Sequence, residues 1–268
     1  MTTEMQSQLA AYADALRDVL AVAESVEVDQ WTLPTACPGW SVREQVAHVL
    51  AVERQLSGEP APRRLETYPP HVRSPSGEHM ESGIAALGNL SPAELLTGLT
   101  DTVDGRLGQL RDLDPEPTAT VSGTLGTQVP LARFVPIRVL DLWTHEQDLR
   151  QALGRPGGLD GAPARLSRDT MVGFLPRVVS EVGAPAGSTV ALEVSGPLAV
   201  SVTVSVGADG TPTPVDRLDC PATATVRTDS WTFMRLTAGR VDPTAADVKI
   251  EGDSDLAARV LEGLNISP

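Results

Sequence analysis

Apolar residues recur every three or four positions through most of the first 155 residues, the signature of amphipathic helices. Between residues 4 and about 25, Leu9, Tyr12, Ala13, Leu16, Leu20 and Ala23 form one such stripe. Residues 31–40, WTLPTACPGW, hold two prolines and a glycine and must loop. Ser41 then supplies an N-cap and Glu44 completes a capping box, which opens a second helix running to about residue 56. The stretch GEPAPRRLETYPPHVRSPSG breaks the period and predicts a long surface excursion, followed by a short helix over about 79–87. Ser91, Pro92 and Glu94 combine a cap, a first-turn proline and a capping-box acid, so a third long helix is expected through residue 110. After a loop, DPEPTATVSGTLGTQ, residues 130–153 are again helical in period and stop at Gly154 with Pro156 beyond; Pro136 is expected near the first turn or at a kink. Four long helices joined in this way predict an antiparallel bundle.

The pattern then changes. GRPGGLDGAPA reads as a linker and residues 166–182 as a helix. The runs STVALEVSG and LAVSVTVSVG alternate β-branched with polar residues across a short turn, which predicts a hairpin, and ATATVRT reads as a third strand. A helix over 230–238 ended by Gly239, a short strand VKIEG and a helix over 254–264 complete the chain. The predicted fold class is therefore α and α+β, with domains at residues 1–157 and 158–268.

Composition narrows the function. The length of 268 residues lies between one and two domains at about 150 residues each. Asp and Glu number 35 against 21 Lys and Arg, and the net charge of −14 repels phosphate backbones and anionic lipid headgroups, so neither nucleic acid nor a membrane surface is expected as a partner. No run approaches the roughly 18 apolar residues that a spanning helix needs. The first twenty residues carry Glu4 and Asp14 and no basic region, so they do not read as a secretory signal, and a cytoplasmic location is expected. Cys37 and Cys220 are too few for a disulfide scaffold and lack CxxC spacing; both are expected as free thiols.

Candidate chemistry centres on the helix over 130–153. There Phe134, Ile137, Asp141, His145, Leu149 and Ala152 form a stripe expected to face the core, so an acid and an imidazole interrupt an apolar face. A buried carboxylate needs a partner or a metal. The i, i+4 spacing sets Asp141 and His145 on adjacent turns, able to grip one ion. His48 lies at the edge of the face defined by Val42, Val46, Val49 and Leu56, where a bundle can bring it opposite them. Two imidazoles and a carboxylate suit zinc or another divalent transition metal with positions open to water or substrate. The competing reading is a hydrogen-bonded Asp141–His145 pair in the core with His48 on the surface. His71 and His79 sit in or beside the polar excursion and are expected to be exposed. Cys37, Trp40 and Trp143 are expected to pack. No GxSxG, HExxH or P-loop occurs, and THEQD at 144–148 lacks the second histidine of a zincin.

Three stretches together resemble the mycothiol-dependent maleylpyruvate isomerase family: TACPGWSVREQVAHVLAVE at 35–53, RVLDLWTHEQDLRQALGRPG at 138–157 and, more loosely, TFMRLTAGRVDPTAADVKIEGDSDLAARVLEGL at 232–264. The resemblance implies a DinB-like antiparallel four-helix bundle followed by a smaller α+β, sterol-carrier-like domain. It implies His48, Asp141 and His145 as metal ligands, although the family typically has Glu where this chain has Asp141. It also implies that the second domain offers an arginine to the site, for which Arg227, Arg235 and Arg240 are the candidates. The implied cofactors are a divalent ion, Zn2+ first among them, and mycothiol, whose thiolate adds to an electron-poor double bond such as that of maleylpyruvate, permits rotation and is eliminated. The alternatives are a mycothiol S-transferase for electrophilic metabolites or xenobiotics, and a noncatalytic small-ligand-binding protein with a structural metal. The protein is expected as a monomer or homodimer.

Overall fold

Side-chain caps set where the helices of the first half begin. Ser41 caps α2 (Val42–Leu56) and Glu44 accepts from the Ser41 backbone N–H at 3.0 Å; Ser91 and Glu94 repeat the arrangement for α4 (Pro92–Asp112). With α1 (Thr2–Glu24) and α5 (Leu131–Ala152) these make four long helices. A shorter α3 (Pro75–Ala86) begins at Pro75 rather than near residue 79. Ser74 accepts from Gly77 N–H at 3.0 Å with Pro75 in the first turn, the same signature that opens α4. The structure, a computed structural model, describes residues 2–114, 116–124 and 126–267, in two compact units divided between Ser167 and Arg168.

In the first unit α1 packs on α4 and α5, and α2 on α3, α4 and α5. Leu16, Leu50, Leu95, Leu99, Leu131 and Leu149 lie fully buried between them. Each contributes about 1.5–3 kcal/mol by leaving water, which is what offsets the cost of the charged groups enclosed with them. The phase of α5 differs from expectation. Ile137 is 44 % exposed, whereas Leu131, Val135, Val139 and Leu142 are buried. The stripe through Asp141 therefore lies at the rim of the core face, not along its centre. The expected loop between α4 and α5 carries a hairpin, β1 (Thr120–Ser122) against β2 (Gln128–Pro130), with Val121 opposite Val129.

The helix expected over 166–182 is two, α6 (Ala162–Gly173) and α7 (Leu175–Glu181), parted at Phe174. Gly173 weakens the helix and Pro176 supplies no N–H for the Val172 carbonyl. The second unit is built on a five-stranded sheet of β3 (Thr189–Ser195), β4 (Val200–Val206), β5 (Pro212–Val215), β6 (Ala224–Asp229) and β7 (Lys249–Gly252), in the order β5-β4-β3-β6-β7. Only β3 and β6 are parallel, with Leu192 opposite Val226 at the buried centre. No strand is expected from the sequence over 212–215; β5 forms at the edge, where the N–H missing from Pro212 and Pro214 breaks no second ladder. Helices α8 (Ser230–Thr237) and α9 (Ser254–Gly263) pack on β6. No helix among the described residues is long and apolar enough to cross a membrane.

Candidate metal centre

The loop before α2 is a closed turn. Thr35 N–H donates to the Trp40 carbonyl at 3.0 Å and Trp40 N–H to the Cys37 carbonyl at 3.1 Å. Gly39 takes φ +82°, which favours glycine, and a Cβ there would run into the His71 ring. The turn thus fixes the start of α2 and delivers Gln45 and His48 to α5. Gln45 Nε2 donates to Thr35 Oγ1 at 2.9 Å and to Asp148 Oδ2 at 3.2 Å, so its Oε1 must face His145, and accepts from Nδ1 at 2.5 Å. His145 therefore carries its proton on Nδ1 and offers the lone pair of Nε2. Such a partner on the far nitrogen is the usual orienting device for a metal-ligating histidine.

That lone pair points into a three-residue cluster. Asp141 Oδ1 lies 3.5 Å from His145 Nε2, and Asp141 Oδ2 3.5 Å from His48 Nε2. One ligand atom from each of the three residues lies within 4.8 Å of the others, the one such group of three found among the described residues. His48 is 2 % exposed, which excludes the surface position of the competing reading, and neither of its ring nitrogens has a hydrogen-bond partner. A buried imidazole left this way costs about 1–3 kcal/mol, a deficit that coordination removes. Asp141, with 32 % of its side chain exposed, leaves the cluster open on one side. Trp40 covers it on another, its ring 4.9 Å from that of His48 and 5.6 Å from that of His145, with the indole N–H on Glu81 at 3.1 Å. His71, expected in solvent, is half-buried, 3.5 Å from the same carboxylate. His79 bonds Gln55 at 2.9 Å.

Behind the cluster lies a buried ionic group that the sequence did not single out. Glu53 is fully buried and accepts from Tyr12 Oη at 3.0 and 3.1 Å, from Arg106 Nε at 2.9 Å and from Arg138 Nε at 2.7 Å. Arg138 Nη1 donates to Asp141 Oδ2. Arg106, Arg138, Glu53 and Asp141 together are neutral, which is how a bundle interior tolerates them. Burial would raise the Asp141 carboxyl, but Arg138 and then His145 hold it well below the usual carboxylate range. Burial, helped by the His145 charge, pushes His48 down to about 4, so it is neutral near pH 7 and ready to coordinate. His145 would also be lowered by burial, but Asp141 raises it above its ordinary value.

The three candidate arginines of the second unit are engaged locally. Arg227 on β6 meets Glu193 at 2.7 Å and also pairs with Glu251. Arg240 Nη1 donates to the Ala238 carbonyl at 2.7 Å; Arg235 Nη2 donates to the Arg240 carbonyl at 3.1 Å, and its buried Nε has no partner. Cys37 is buried and Cys220 exposed. Trp143 is 1 % exposed and donates to the Gly158 carbonyl at 2.8 Å, a packing residue that ties down the segment after α5.

A helical unit with a His-Asp-His cluster, followed by an α+β unit, defines the class. Residues 12–150 match the mycothiol maleylpyruvate isomerase N-terminal domain, and residues 165–259 match the C-terminal domain of the same isomerase group. The chain belongs to the mycothiol maleylpyruvate isomerase family. Two uncharacterized proteins of Mycobacterium tuberculosis, from strains CDC 1551/Oshkosh and ATCC 25618/H37Rv, are each 29 % identical over 141 residues, 51 % of this chain and 52 % of theirs. The chain thus spans about half the length of the curated relatives it matches. Crystal structures of the mycothiol-dependent maleylpyruvate isomerase and of a histidine-to-alanine mutant share the fold at a TM-score of 0.58 and 17 % identity, over 92 % of both chains.

Proposed function

We propose that this protein is a metal- and mycothiol-dependent enzyme acting on an electrophilic small molecule, a cis-trans isomerase of the maleylpyruvate type. The observation that carries the reading is the buried His48 with both nitrogens unpartnered, facing the His145 Nε2 lone pair and the Asp141 carboxylate. His48, Asp141 and His145 would hold a divalent cation, and two imidazoles with one carboxylate suit Zn2+. When bound, the cation supplies Lewis acidity that makes a thiolate of a thiol, and mycothiol supplies reversible addition to an electron-poor double bond.

The chain's own residues do the positioning. Gln45 keeps the His145 proton on Nδ1, Arg138 keeps Asp141 ionised and turned inward, and Trp40 shields one side of the imidazoles from water. An anionic substrate also needs a cation, for which Arg227, Arg235 and Arg240 are proposed. The second reading is a mycothiol S-transferase, which stops after addition.

Metal analysis of the purified full chain, followed by mycothiol with a cis-dienoic acid, tests these readings. Isomer formed without net loss of thiol is the expected result, and stoichiometric thiol consumption with an adduct would assign the S-transferase. Bound metal that raises the melting temperature, with no thiol turnover against dienoic acids, epoxides or quinones, would leave a structural metal and refute both.

A further inference from the structure

The bond from Arg138 to Asp141 joins the candidate metal cluster to the Glu53 group, and it does more than neutralise a buried acid. Glu53 already has a guanidinium in Arg106, at 2.9 Å, and a hydroxyl donor in Tyr12. Arg138 instead spans two carboxylates on different helices: its Nε holds Glu53 of α2 at 2.7 Å and its Nη1 holds Asp141 of α5, while Nη2 is buried without a partner. A planar guanidinium fixed at one nitrogen fixes the direction of the others, so Glu53 in effect aims Nη1. Asp141 needs such a hold. It lies at the rim of the core face with a third of its side chain exposed, and a lone carboxylate there is better solvated turned outward to water. Held inward, its two oxygens each stand 3.5 Å from one imidazole, Oδ1 from His145 and Oδ2 from His48. Charge balance acts in the same direction, since Arg106, Arg138 and Glu53 carry one net positive charge that Asp141 cancels.

We infer that Arg138, aimed by Glu53, is a positioning residue that holds the short Asp141 carboxylate between the two histidines and so sets the affinity of the site for its cation. The inference rests on the metal-centre reading proposed above. A lysine cannot serve, because one ammonium on a flexible stem cannot keep both acids in a fixed relation. The expected loss is about 10–100-fold in affinity, as for other groups that orient a metal ligand.

The test is competition of Zn2+ between a chromophoric chelator and the metal-stripped full chain, with visible absorption of the Co2+-loaded protein as a second readout. Arg138→Lys keeps the charge and loses the fork. Arg138→Gln combined with Glu53→Gln removes one cation and one anion together, so that Arg106 and Tyr12 still meet a neutral partner and the bundle stays folded, as circular dichroism will check. Both are expected to bind Zn2+ about 10–100-fold more weakly than wild type, with a changed Co2+ spectrum. Wild-type affinity and spectrum in both folded variants, while His48→Ala loses the metal, would overturn the positioning role and leave Arg138 a staple of the fold. Failure of the wild-type chain itself to bind either ion would overturn the metal-centre reading, and this inference with it.

Discussion

Asp141→Asn keeps the shape of the side chain and removes its charge, so it separates the ion pair this residue makes with Arg138 from the metal-ligand role proposed for it. Without metal, the substitution takes one of two carboxylates from the buried Arg138 and the carboxylate 3.5 Å from His145 Nε2. Exposed ion pairs contribute up to about 1 kcal/mol and breaking a buried pair costs about 3–5 kcal/mol. With 32 % of the Asp141 side chain exposed, an intermediate loss of about 2 kcal/mol is expected. For a unit of this size that lowers the melting temperature by about 4–8 °C. With Zn2+ at about 100 times its dissociation constant, the wild-type chain gains about 2.7 kcal/mol, or roughly 5–11 °C, because only the folded state assembles the site. The variant should gain almost nothing. Scanning calorimetry of both proteins, with chelator and with Zn2+, reads both differences, and elemental analysis gives the stoichiometry. A variant that keeps the wild-type metal-dependent rise would remove Asp141 from the ligand set and refute the reasoning.

His48→Phe should divide the same two quantities in the opposite sense: a ring still packs on Trp40 and His145, two unsatisfied buried nitrogens disappear, and the metal-free melting temperature should hold or rise while Zn2+ stabilisation vanishes. A large metal-free loss would show those nitrogens to be satisfied in solution. Gly39→Ala forces a side chain into positive φ against the His71 ring and should cost about 1–3 kcal/mol. Trypsin should then cut faster at Arg63 and Arg64, and unchanged digestion would count against His71 as the anchor of that excursion. Asp229 caps α8 through Trp231 N–H at 2.8 Å and Thr232 N–H at 3.1 Å; burial raises its carboxyl, but these bonds and the Thr232 hydroxyl hold it below the usual range. Its contribution of about 1 kcal/mol is then present above the unfolded carboxyl pKa of about 4 and lost as pH falls through the lower folded value. Hydrogen exchange of α8 amides should be faster in Asp229→Ala at pH 7, with the difference from wild type shrinking toward pH 3.

The helix starts were legible because caps are local. Ser41 with Glu44 and Ser91 with Glu94 need only four consecutive residues, and Ser74 with Pro75 carried the same signal beneath a proline-rich stretch read as excursion. The phase of α5 was harder to read, since a stripe through Ile137 and one through Leu142 both fit the helical period, and tertiary packing chose the second. Two imidazoles and an acid could be picked out by residue type. Their support could not: Gln45 reaches His145 across 100 residues of chain and Arg138 reaches Glu53 across 85, pairings that no local pattern encodes. Glu53 stood at the end of a recognised stretch and could have been flagged as an acid within an apolar helix face, the same signal that flagged Asp141.

The indole of Trp40, seated against both imidazoles, gives the site an optical gauge of its own. An open-shell ion such as Co2+ or Cu2+ arriving there would dim the emission of this one ring among four tryptophans, whereas closed-shell Zn2+ would leave it bright. Occupancy could then be followed in the unlabelled native chain, without chromophore or dye.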